Sequence, residues 1–66
     1  MAKMLLKDII LKKGITYRQA EILTGISKSG LQAIANGRRD PRISTLEQIA
    51  EGLHVKVTDL FTSKYL

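Results

Sequence analysis

The sequence predicts an all-α domain, five short helices around one core. Three observations predict it. Apolar residues recur at helical spacing along most of the chain, without a convincing period-two run. Glycines and a single proline punctuate those runs where helices stop. With 66 residues and no cysteine, neither a disulfide framework nor a thiolate metal site is available. A chain this short buries only about 60% of its unfolded surface, so helix packing or self-association must supply the rest. The only aromatics are Tyr17, Phe61 and Tyr65, which leaves Leu and Ile to fill the core.

Taken in order, Leu6, Ile9, Ile10 and Lys13 follow helical spacing and Gly14 closes the run, predicting a first helix over about residues 2–13. Leu5 and Leu11 fall off that stripe. Thr16 opens a second helix to about Thr24, with Tyr17, Ala20 and Leu23 or Thr24 on one face. Gly25 sits where this helix must end in a left-handed residue. Ser27 is placed as the N-cap of a third helix to about Asn36, with Leu31, Ile34 and Ala35 on one face. Asn36-Gly37 ends it with the two residue types most tolerant of positive φ. Residues 37–43 read as a basic loop, with Asp40-Pro41 as its turn signal. Ser44 and Glu47 have the spacing of a capping box for a fourth helix striped by Leu46, Ile49, Ala50 and Leu53. A last short helix is expected from Val57 or Thr58 through Phe61. The whole chain, 1–66, reads as one domain.

Two helices joined by a three- or four-residue turn containing glycine form a helix-turn-helix, here about residues 16–36, whose second helix can lie in the DNA major groove. The face left over on that helix, Lys28, Ser29, Gln32, Ala33 and Asn36, is polar, small and unobstructed. Eleven Lys and Arg against six Asp and Glu give a formal net charge of +5, which favours an anionic partner. Arg38, Arg39 and Arg42 cluster just after the helix. Thr16 and Tyr17 begin the helix before it, where backbone amides and the helix dipole attract a phosphate.

Other chemistries find little support. The lone histidine, His54, lies at a predicted helix end, suited to hydrogen bonding with free carbonyls. The carboxylates are scattered without acid–base spacing, and there is no phosphate-binding glycine loop or metal-ligand cluster, so neither an enzyme, a metal nor a cofactor is expected. Lys7 and Asp8 interrupt the N-terminal apolar run and no small-residue cleavage site follows, which excludes a signal peptide. Nothing approaches a transmembrane length, and a cytoplasmic location without membrane association is expected.

These residues resemble the helix-turn-helix family of the lambdoid phage repressors and Cro proteins, from about Leu6 to Phe61. The anchors are Gly14-Ile15-Thr16, Gly25-Ile26-Ser27, Leu31 and Ile34, Asn36-Gly37-Arg38 and Pro41. Leu46, Ile49, Ala50 and Leu53 follow, then Val55, Val57, Leu60 and Phe61. The resemblance implies that the first-turn residues of the third helix enter the major groove. Lys28 then suits guanine O6 and N7, Gln32 suits adenine N6 and N7, Ser29 is permissive, and Ala33 can touch a thymine methyl. It implies that Asn36 and Arg38 grip the backbone with help from Arg39, and that Arg42 reaches toward a narrow minor groove.

The chain departs from the family pattern at several places. Ala20-Glu21 replaces Leu-Ala, so Glu21 must turn outward, where its carboxylate can approach the N-terminus of the third helix; Gly30 on the facing helix would make room. Thr24 replaces an apolar residue. An ion pair of some relatives becomes Ile10 and Ala35, a change often neutral or stabilising. His54 stands where glycine is usual, and Gly52 replaces alanine at about 1 kcal/mol of helix propensity.

The implied function is that of a stand-alone transcriptional regulator, a repressor that binds a palindromic double-stranded DNA operator as a homodimer. Its recognition helices would lie about 34–36 Å apart. The alternative is an interaction protein, the DNA-binding half of a toxin–antitoxin pair or an antirepressor, with Phe61, Tyr65 and Leu66 as an apolar patch. An RNA-binding module is the weaker third class, because no platform of stacking aromatics is present.

Overall fold

A computed structural model describes residues 3–64. Strand β1 (Lys3–Met4) leads into helices α1 (Leu6–Lys13), α2 (Tyr17–Thr24), α3 (Lys28–Ala35) and α4 (Ile43–Leu53). A 3₁₀ turn (Val57–Asp59) and strand β2 (Phe61–Thr62) complete the chain. Leu6, Ile10, Ala20, Leu31, Ile34, Ile49, Leu53 and Leu60 are buried in a single cluster to which every helix contributes.

Helix ends follow the residues that can close them. Gly14, Gly25 and Gly37 all take positive φ, at 67°, 76° and 75°. After α3, the Gly37 amide donates to the Ile34 carbonyl and the Arg38 amide to the Ala33 carbonyl, the paired closure of a Schellman motif. Asn36 stays at negative φ, so glycine alone makes the left-handed step. After α4, His54 adopts φ 57° without being glycine, while the Val55 amide donates to the Ala50 carbonyl. The left-handed step is therefore taken here by histidine, which with Asn and Asp adopts positive φ more readily than other side chains.

Five helices were expected; the described residues hold four, plus the 3₁₀ turn. Val57 and Thr58 are β-branched and disfavour a longer helix. The Asp59 carboxylate accepts from the Lys56 amide at 3.0 Å, closing the turn at three residues. Leu60 then plunges into the core and Phe61 belongs to β2. The first helix is also shorter than expected, starting at Leu6 rather than near residue 2. Lys3 pairs with Thr62 and Met4 with Phe61 in an antiparallel ribbon, and the Leu5 amide donates to the Leu60 carbonyl at 2.7 Å. Two-residue strands are too short for a readable alternation, so the domain is mainly helical rather than all-α.

The expected Ser44–Glu47 capping box does not form. The backbone is extended at Arg42 and turns helical straight after it; Arg42 is the N-cap and makes no side-chain cap bond. Ser44 lies inside the first turn, past the position where a hydroxyl can cap. Of the two candidates for the inward face of α2, Thr24 is buried and Leu23 is 52% exposed. The Thr24 hydroxyl donates to the Ala20 carbonyl at 2.7 Å and accepts from the Ile26 amide at 3.2 Å, so a polar side chain replaces an apolar one without an unmet bond. Leu5 caps α1 half-buried, Leu11 is exposed, Ile10 is buried and Ala35 is half-buried.

Room for α2 comes from Gly52, not Gly30. A Cβ at Gly52 would lie 2.6 Å from the Leu23 carbonyl oxygen and 2.8 Å from Thr24 Cα. A Cβ at Gly30 would instead meet Ser27 Oγ at 3.0 Å and Arg39 Nη1 at 3.6 Å. Gly52 is therefore a contact point between α2 and α4, where a side chain would cost more than its helix propensity returns.

Candidate nucleic-acid interface

Thr16 anchors the start of α2. Its hydroxyl accepts from the Gln19 amide at 3.1 Å, and the Gln19 side-chain carbonyl accepts from the Thr16 amide at 2.8 Å. This reciprocal box fixes the helix end; the Thr16-x-x-Gln19 spacing carries its signature, as Ser44-x-x-Glu47 does without forming one. Because Thr16 N–H is engaged, the amides of Tyr17 and Arg18 are the ones left to meet an anion at this end. Partial burial pushes the Tyr17 phenol above its ordinary pKa. At neutral pH it keeps its proton and can donate to a phosphate oxygen.

The break between α2 and α3 is held by side chains. Ser27 caps α3, its hydroxyl accepting from the Gly30 amide at 3.1 Å. Glu21 does turn outward, and its carboxylate accepts from the Lys28 amide at 3.1 Å. Negative charge at a helix N-terminus is favourable. Glu21→Ala is therefore expected to lower stability by about 0.5–1 kcal/mol and to leave the preferred DNA sequence unchanged. Unchanged melting with an altered preference, measured by binding-site selection, would overturn this role.

On α3, Lys28 and Ser29 are exposed in the first turn, while Gln32 and Ala33 are half-buried one turn later on the same helix. Asn36 and Arg38 follow at its exposed C-terminal end, where the Schellman closure fixes the Arg38 backbone. Arg39 folds back toward Gly30. With Asp40, Pro41 and Arg42 it lines a cleft of about 480 Å³ together with Ser44, Thr45 and Gln48 of α4. Lacking a side-chain cap, the start of α4 presents its first amides beside these arginines. That second amide-bearing helix end was masked in the sequence by the false capping box. Thr16 and Tyr17 lie at the start of α2, so helix ends and arginines border α3 from α2, the loop and α4.

The sequence pattern of the helix-turn-helix family matches residues 6–60. The chain belongs to this family, in its Cro/C1 type. A relative is the uncharacterized HTH-type transcriptional regulator y4dJ of Sinorhizobium fredii (strain NBRC 101917 / NGR234). It is 35% identical over 51 residues, covering 77% of this chain and 66% of the relative. The chain thus spans a little under two thirds of that protein. Among the described residues, no helix is long and apolar enough to cross a membrane.

Proposed function

We propose that the protein is a sequence-specific transcriptional regulator, a repressor that binds a palindromic operator as a homodimer. The observation that carries this reading is the position of α3. Its open first turn bears Lys28 and Ser29, with Gln32 and Ala33 behind, and it is flanked by groups suited to phosphates. Lys28, Ser29, Gln32 and Ala33 read bases; Thr16, Tyr17, Asn36, Arg38 and Arg39 hold the backbone; Arg42 reaches for the minor groove.

Self-association is supported by an apolar face beside the loop after α3. Ile43, 65% exposed, borders a shallow hollow of about 240 Å³ with Met4, Pro41 and Phe61. Phe61 is half-buried against the core, so it supplies part of this face; Tyr65 and Leu66 lie outside the described residues.

Binding-site selection at two salt concentrations tests the assignment. A bidentate side-chain contact discriminates between bases by about 1–3 kcal/mol, so Gln32→Ala relaxes preference at one base pair per half-site and hardly changes non-specific binding. Arg38→Ala weakens all duplexes alike and lowers the salt slope by about one unit per subunit. If Arg38→Ala altered the preferred sequence and Gln32→Ala did not, α3 would not be the reading helix.

A second reading, a module that engages another protein, is favoured by the outer face of α2, where Ile22 is 78% and Leu23 52% exposed. Light scattering of the pure protein separates the two. A homodimer supports the first reading, and a protein that stays monomeric without a partner supports the second.

A further inference from the structure

In a continuous helix, the amide of residue 28 would donate to the carbonyl of residue 24. The turn breaks that bond, freeing one donor and one acceptor at the joint between α2 and α3. The Lys28 donor is taken by Glu21, from α2 itself. The Thr24 acceptor is taken from outside the motif: Gln48 Nε2 of α4 donates to the Thr24 carbonyl oxygen at 2.8 Å. The same nitrogen lies 3.4 Å from where a Cβ of Gly25 would stand, so the amide lies close against the left-handed turn residue. Gln48 also lines the cleft at the start of α4 together with Arg39 and Arg42.

We infer that Gln48 is a positioning residue for DNA recognition, tying the joint of the helix-turn-helix to α4. The inference rests on the operator-binding reading above. Base-reading groups ride on α3, whereas Arg42 and the first amides of α4 ride on the other body. Specific binding requires both to reach one duplex in a fixed register, while non-specific binding needs only the positive charge. Gln48 is exposed and its bond to Thr24 is only partly buried, so the fold is expected to survive its loss. What is lost is the directional link that sets the tilt of α3 against α4.

The test compares the wild type, Gln48→Met and Gln48→Lys, with the ratio of affinities for the selected operator and a random duplex as readout. Methionine keeps the length but has no donor. Lysine restores a donor, and because its added charge strengthens both duplexes alike, the ratio isolates the hydrogen bond. Measured well below the melting temperature, Gln48→Met is expected to lower the ratio about fivefold to tenfold, the equilibrium weight of one hydrogen bond. Random-duplex affinity stays unchanged, and Gln48→Lys returns the ratio to the wild-type value. An unchanged ratio in Gln48→Met, or an equal fall on both duplexes, would overturn the inference. A wild type that selects no sequence would overturn the operator-binding reading itself, an outcome visible without any variant.

Discussion

Operator binding should weaken by roughly 10³–10⁵ when salt rises from about 50 to about 200 mM. Lys28, Arg38, Arg39 and Arg42 are exposed around α3, and the Tyr17 and Arg18 amides of α2 and the uncapped start of α4 offer further donors suited to phosphates. A dimer doubles that set, which fits about 6–10 neutralised phosphates, each releasing condensed counterions. The slope of log affinity against log salt reads the number directly. A flat response would show that the +5 charge does not meet a phosphate backbone and would remove the DNA-binding reading altogether.

Gly52→Ala should lower the melting temperature by roughly 8–16 °C, a net loss of about 2 kcal/mol. Helix propensity alone gives the opposite sign, a gain of about 1 kcal/mol. The added methyl, however, would sit 2.6 Å from the Leu23 carbonyl oxygen and 2.8 Å from Thr24 Cα, both backbone atoms that cannot swing aside. Overpacking costs about 1–3 kcal/mol, and contacts this short place it at the upper end. Thermal unfolding of the two proteins decides between the signs. A variant that melts higher than its parent would mean that α2 and α4 do not approach this closely.

The contrast shows what the sequence could convey. Helix interiors, glycine stops and the Thr16 and Ser27 starts were legible because each depends on neighbours within about one turn. Glu21 was legible as well: a carboxylate on that face could reach only the start of α3. Gly52, Gln48 and the β1–β2 ribbon depend on residues far along the chain, and no local spacing encodes them. The Ser44–Glu47 spacing misled because α4 starts at Ile43 with Arg42 as its N-cap, two residues earlier than a Ser44 cap would place it. At the candidate interface, the order of residues singles out Lys28, Ser29, Gln32 and the arginines. It gave no sign that the start of α4 is open, nor that Arg39 lies back over Gly30.

The ribbon that pairs Lys3 with Thr62 joins residues separated by nearly the whole chain. Closing so long a loop carries the largest entropic cost of any contact in the fold, for a return of two residue pairs. Contacts between α2 and α3 are close in sequence and form early by the same reasoning. The clasp between the chain's two ends therefore closes last and opens first. Its opening would bare the edge of Phe61 beside Met4 while leaving α3 in place. On the proposed reading, the dimer face and α3 would then have separate thermal lifetimes, and a dimer would come apart before either copy released its half-site.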